Sequence, residues 1–228
     1  MKVLKISPSL MCADLLDLKT CLDIFTEEGI DYLHIDVMDG HYVPNIGLSA
    51  DLCRTITSYT DIPLDVHLMV ENVDQLIPQF AGFADATVSF HPEVSRHPLR
   101  SIQLIHSFGA RAGIALDPSL SIEGIRYLLQ EADTVCVMTV NPGYSGQELI
   151  PGMIEKIEEV SSCCEKMGYT VEVEVDGNVS WKNLPKMLKA GANVFVAGTS
   201  SIFMRGTNIR ENIRRFKSLL YGNNVKGV

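Results

Sequence analysis

A short β-rich run followed by a helical pattern recurs eight times along the chain. "VLKIS" precedes "DLLDLKTCLDIFTEEG", and "DYLHIDV" runs through a loop into "LSADLCRTIT". "PLDVHLM" precedes "NVDQLIPQFAGF", "ATVSF" precedes "PLRSIQLIHSFG", and "ARAGIAL" precedes "SIEGIRYLLQEA". "TVCVMTV" leads through a glycine-rich loop into "MIEKIEEVSSCCEKMG". "TVEVEVD" precedes "WKNLPKMLKAG", and "NVFVAG" precedes "NIRENIRRFKSLL". Gly29, Gly109, Gly168 and Gly191 fall near helix ends, where a left-handed cap suits glycine. Strands alternating with helices call for a parallel sheet. Eight units in 228 residues predict a single-domain closed (β/α)8 barrel spanning 1–228. An open doubly wound sheet is the alternative, but the regular unit count and the lack of a GxGxxG motif argue against it.

Side chains on a strand alternate faces with a period of two. His34 and Asp36 therefore point the same way near the end of the second strand, as do Asp65 and His67 in the third. In the seventh, Glu172, Glu174 and Asp176 share one face, and Val171, Val173 and Val175 take the other, against the helices. Barrels of this class carry their chemistry at the C-terminal ends of the strands. Three strands thus aim carboxylates and imidazoles into the barrel mouth, where a buried charge needs a partner or a metal.

His34, Asp36, His67 and Asp176 make a nitrogen and oxygen set suited to one divalent first-row ion: zinc, manganese, cobalt or iron. A metal-free hydrogen-bonded network is the competing explanation. Asp65 and Glu174 lie one alternation deeper and are expected to accept hydrogen bonds that orient the imidazoles. Asp39 and His41 sit in "MDGHYVPN", where loop capping is the expected role of Asp39. In "FHPE", His91 and Glu93 either contact substrate or cap a loop. His97 and His106 are expected to be structural. Of the adjacent Cys163 and Cys164, one should pack inward and the other face outward.

"NPGYSGQ" (141–147), "DGN" (176–178) and "AGTSS" (197–201) follow the sixth, seventh and eighth strands. Loops at these places commonly bind phosphate through backbone N–H groups, and "AGTSS" could open a short helix that helps. Met38, Met69 and Met138 are expected to surround the metal with a polarizable, unionised lining.

"PSLMCADL", "HIDVMDGHYVPN", "LDVHLM", "VMTVNPGYSGQ", "EVDGN" and "VFVAGTSSIF" resemble, in order and over almost the whole chain, the ribulose-phosphate 3-epimerase family. The resemblance implies a metal-dependent isomerase that inverts C3 of a phosphorylated ketose through an enediolate. It places Asp36 and Asp176 as the acid–base pair and His34, Asp36, His67 and Asp176 as metal ligands. Ser9 and His67 would contact substrate, and Met38, Met69 and Met138 would line the intermediate. Gly143, Tyr144, Ser145, Gly146, Asp176, Gly177, Asn178, Gly198, Thr199 and Ser200 match the phosphate- and substrate-binding loops. A cytoplasmic homo-oligomer, dimer or hexamer, is also implied.

The usual pentulose-phosphate enzyme has Gly-Gly after the strand-seven aspartate, whereas this chain has Gly177-Asn178. "SLMC", "FHPE" and "GTS" look closer to a sister branch acting on hexulose phosphates. The expected reaction is therefore D-allulose 6-phosphate to D-fructose 6-phosphate, with D-ribulose 5-phosphate to D-xylulose 5-phosphate as the alternative. A barrel that binds metal and sugar phosphate without turnover is a further alternative. An aldolase or decarboxylase is the other rival, although a decarboxylase would want a lysine that no strand-end motif offers.

Composition narrows the partners. A net charge of −9 with no basic stripe argues against nucleic acid, and no apolar run approaches a membrane span. The opening "MKVLKISPSLMC" is short and polar for a signal peptide. Six cysteines without a CxxC pattern suit a reducing compartment.

Overall fold

The computed structural model describes residues 3–222; residues 1–2 and 223–228, part of the single-domain expectation, lie outside the described residues. Eight parallel strands form one sheet: β1 (Lys5–Pro8), β2 (Leu33–Met38), β3 (Leu64–Met69), β4 (Thr87–Phe90), β5 (Arg111–Leu116), β6 (Thr134–Met138), β7 (Glu172–Asp176) and β8 (Val194–Ala197). Their order is β1-β8-β7-β6-β5-β4-β3-β2. A parallel bridge between Ser9 and His34 brings the two ends together, and Tyr32 N–H donates to Ile6 O at 3.2 Å. The sheet is thus a nearly closed barrel, as the repeat predicts.

Alternation sorts the side chains. Ile6, Leu33, Ile35, Leu64, Val66, Val135, Val173, Val175 and Phe195 face outward and are fully buried against the helices. Each such burial contributes roughly 1.5–3 kcal/mol. The helices are α1 (Leu18–Glu27), α2 (Ala50–Thr57), α3 (Val73–Phe80), α4 (Pro98–Ser107), α5 (Met153–Met167), α6 (Leu184–Lys189) and α7 (Ile209–Tyr221). Gly29, Gly109, Gly168 and Gly191 all take positive φ, as their positions beyond helix ends require.

Two expected helical segments differ. "SIEGIRYLLQEA" forms a 3-10 turn (Ile122–Gly124) and further turns rather than a helix. Gly124 is a poor helix former, costing ~1 kcal/mol relative to alanine. The segment still seats Ile125 and Leu129 in the core, so it covers the sheet as a helix would. "AGTSS" opens no helix either. Gly198 O accepts from Ser201 N–H and Phe203 N–H, closing one turn. The Ile202 carbonyl is taken by the Asn212 side chain at 2.9 Å, where a continuing helix would need it. Cys164 packs inward and Cys163 is only partly covered, as expected.

Candidate active site

The inward faces of β1, β2, β3 and β7 place polar groups at the C-terminal mouth. In the β2–β3 register His34 stands beside Asp65, Asp36 beside His67, and Met38 beside Met69. Asp176 ends β7. Its position is fixed by Thr139, whose N–H donates to Asp176 O at 2.7 Å and whose hydroxyl reaches Asp176 O and Gly177 O. Gly177 has φ +111°, and a Cβ there would come within 2.5 Å of Val140, so the chain can turn here only with glycine.

His34, Asp36, His67 and Asp176 each offer an atom within 4.8 Å of the others. His34 Nε2 stands 3.5 Å from Asp36 Oδ1 and 3.8 Å from Asp176 Oδ2, and His67 Nδ1 is 3.6 Å from Asp176 Oδ2. These gaps are long for hydrogen bonds. Both nitrogens are buried without a hydrogen-bond partner. Donor atoms each ~2.1 Å from one ion would stand roughly 3.0–3.4 Å apart, close to what is seen. The chemistry and spacing of this set fit a divalent ion, and the cluster could hold one.

Neighbouring groups set the donors. His34 Nδ1 lies 2.8 Å from Asp65 Oδ2, which also accepts from the Ser7 hydroxyl at 2.8 Å. That bond places a proton on His34 Nδ1 and turns Nε2 toward the cluster. Burial disfavours a charged His34, but the Asp65 and Asp36 carboxylates outweigh it and raise its pKa well above the usual imidazole value. Burial would likewise raise Asp36. The His34 and His67 imidazoles, together with the Ser9 hydroxyl, instead hold it at about 2. Glu174 is pushed well above the carboxylate range by burial and by Asp65. Its partner is Cys136 rather than an imidazole, so only Asp65 plays the orienting part expected of both.

Above the cluster lies a cavity. Ser9, Asp36, Asp176, Gly143, Tyr144, Ser145, Gly146, Gly177, Asn178, Gly198, Thr199 and Ser200 all line it, with Met38, Met69 and Met138. The methionines fall into two packing groups: Met38 and Met69 with Val43, and Met138 with Ala115 and Cys136. His34 and His67 are fully buried beneath the lining. No lysine or arginine lines the cavity among the described residues. Cys12 also lines it, because the 3-10 turn Leu10–Cys12 carries the chain back over the mouth; a lone thiol gave no such signal in the sequence. Two loops meet across the mouth, where Asn45 Nδ2 donates to Gly143 O at 2.9 Å and the Tyr144 hydroxyl to Pro44 O at 3.1 Å.

The remaining sequence candidates take definite places. Asp39 caps its loop, accepting from the N–H groups of His41, Tyr42 and Glu71. His41 is exposed. His97 precedes α4 and His106 pairs with Asp133 at 2.9 Å, both away from the cluster. His91 is fully buried, with Nε2 2.9 Å from His67 Nε2, a place that neither reading of "FHPE" anticipated.

Residues 5–203 match the family model described as the ribulose-phosphate 3 epimerase family. The chain belongs to this family. Its curated relatives include the protein named ribulose-phosphate 3-epimerase of Escherichia coli (strain K12), 38% identical over 204 residues, covering 89% of this chain and 90% of that one. The protein of the same name from Bacillus subtilis (strain 168) is 40% identical over 199 residues, covering 87% and 92%. That from Serratia marcescens is 39% identical over 204 residues, covering 89% and 97%. Among solved structures, KGPDC from Streptococcus mutans aligns with a TM-score of 0.70 at 12% identity, covering 96% of this chain and 98% of that one. This last likeness concerns the barrel alone. The family is one of isomerases acting on sugar phosphates, and this chain has the family's barrel with a His/Asp cluster able to hold a metal at its mouth. No helix among the described residues is long and apolar enough to cross a membrane.

Proposed function

We propose that this chain is a metal-dependent ribulose-5-phosphate 3-epimerase, interconverting D-ribulose 5-phosphate and D-xylulose 5-phosphate. The observation that carries the proposal is the convergence of Asp36 and Asp176 on two imidazole nitrogens without partners, beneath a cavity walled by glycine-rich loops. Inverting a carbon next to a ketone needs an acid–base group on each face of a planar enediolate. Asp36 and Asp176 arrive from strands separated by β1 and β8, so they can serve opposite faces. One removes the C3 proton and the other delivers a proton to the far side. Asp36 is ionised at neutral pH, and the Ser9 hydroxyl, 2.7 Å away, fixes its orientation. His34, Asp36, His67 and Asp176 would hold a divalent ion, which would supply Lewis acidity beside the reacting carbon. Met38, Met69 and Met138 keep the reacting end dry.

At the other end of the cavity, residues 143–146, Gly177, Asn178 and 198–200 form the phosphate-binding wall. With no lysine or arginine among the described residues of that lining, backbone N–H groups must supply the attraction. The missing lysine also weighs against the decarboxylase reading, and paired carboxylates weigh against a non-catalytic sensor.

The expected preference for a hexulose phosphate leaned on Asn178 and on the likeness of "SLMC", "FHPE" and "GTS". Asn178 has φ +44°; its amide donates to Gln147 O at 2.6 Å and its Oδ1 accepts from Asn183 at 2.9 Å. Both polar atoms of its side chain are engaged in tying loops together. His91 is buried beneath the cavity. The relatives above carry the pentulose name, and the reading moves to that substrate. Parallel turnover assays on D-ribulose 5-phosphate and D-allulose 6-phosphate decide the matter. A higher kcat/KM on the pentulose is expected, and the reverse would return the chain to the hexulose branch.

A further inference from the structure

We propose that His91 and Glu93 are positioning residues for His67, fixing its ring through a line of contacts that ends at Tyr42 on the loop after β2. The proposal rests on the reading of His34, Asp36, His67 and Asp176 as a metal site. His91 continues the inward alternation of β4 after Thr87 and Ser89, and Ser89 stands beside His67 in the register. His67 Nε2 and His91 Nε2 are 2.9 Å apart, so one must donate and the other accept. His67 Nδ1 faces the cluster and has no hydrogen-bond partner. As a ligand nitrogen it carries no proton, so the proton of the neutral ring sits on Nε2 and is donated to His91. His91 Nε2 is then the acceptor, and its own proton sits on Nδ1.

That nitrogen lies 3.5 Å from Glu93 Oε1 and makes no hydrogen bond, so the carboxylate acts on it through charge alone. The same carboxylate oxygen accepts from the Tyr42 hydroxyl at 2.8 Å. Tyr42 also lies over the His91 ring at 4.7 Å between centroids, and His91 over His67 at 5.0 Å. The His91 ring is therefore restrained by packing on both faces as well as by its Nε2 contact. His34 has its counterpart of this device in Asp65. His67 has no carboxylate in direct reach of Nε2 among the described residues, and the line through His91 delivers the Glu93 carboxylate at one remove.

The test compares His91→Phe, His91→Gln and Glu93→Ala with the parent protein, reading cobalt(II) affinity by chelator competition and the visible spectrum of the cobalt form. His91→Phe removes the acceptor and should weaken cobalt binding by roughly 10–100-fold with an altered spectrum. His91→Gln keeps an acceptor oxygen and should recover most of the affinity at equal thermal stability. Parental affinity and spectrum in His91→Phe would overturn the proposal, as would equal losses in the Phe and Gln variants. If His91→Phe does not fold, Glu93→Ala decides, because Glu93 is partly exposed. A weakened cobalt complex is then expected, and an unchanged one overturns the proposal. A parent protein that binds no cobalt would overturn the metal reading itself, an outcome distinct from unchanged variants of a cobalt-binding parent.

Discussion

The two ends of the barrel interior both carry charge, yet they are built on opposite terms. At the N-terminal end, Lys5 Nζ meets Glu172 Oε1 at 2.5 Å and the Tyr32 hydroxyl at 2.6 Å. Arg111 reaches Glu172 Oε2 at 2.9 Å and the Tyr32 hydroxyl at 2.6 Å. Cations and carboxylate are matched at hydrogen-bonding distance. At the C-terminal mouth, two imidazoles and two carboxylates face one another at 3.5–3.8 Å, and two ring nitrogens go unmatched. A closed network has no capacity left for a ligand, whereas an open one is arranged around something it must bind. The difference in spacing, rather than the presence of charge, separates a plug from a site.

Substitutions at the two ends should therefore fail in different ways. Asp176→Asn should lower kcat by ~10²–10⁴-fold, the usual worth of a general acid or base, with no greater fall in the thermal midpoint than chelation of the parent protein produces. Steady-state kinetics beside a melting curve checks both. A large loss of stability would make the mouth structural, like the other end. Chelation should remove activity and lower the melting temperature, because an ion that binds only the folded state at 100 times its Kd stabilises by ~2.7 kcal/mol. Full activity after exhaustive chelation would end the distinction between the two ends.

Glu172→Gln should do the reverse, costing roughly 1–3 kcal/mol in denaturant unfolding while leaving kcat unchanged. The range lies between exposed and buried pairs, since these side chains are about one-fifth exposed. The smallest effect concerns alkaline pH. Burial would lower the Lys5 pKa, but Glu172 and Tyr32 raise it above 10.5. A raised folded-state pKa contributes stability that is complete below 10.5 and is lost as pH rises through the folded value. The parent protein should thus lose more stability above that pH than Lys5→Met, measured by urea unfolding at stepped pH.

Much of this was legible in the sequence, because alternation is local and strict. It yielded the eight strands, the outward valines of β7 and the shared face of His34 with Asp36. It also placed Glu172, Glu174 and Asp176 on one face. Alternation is silent on what each residue meets across the barrel, since register between strands is not encoded locally. Glu172 pairs with Lys5 and Arg111, Glu174 with Cys136, and Asp176 with the imidazoles: one face, three fates. His91 was ambiguous for the same reason, its partner lying on another strand. The contacts of Asn178 were not legible because its amide partners, Gln147 and Asn183, are brought near only by the folded loops. The segment 121–132 has helical periodicity, but Gly124 disfavours a helix and the segment is left in turns.

The most direct measurement follows C3 of D-ribulose 5-phosphate in D2O at low conversion, by mass spectrometry of substrate and product. With Asp36 and Asp176 serving opposite faces, early product should carry one deuterium at C3 while remaining substrate keeps its proton. Product that retains the original proton would mean that one group both removes and returns it, and would contradict the two-carboxylate site.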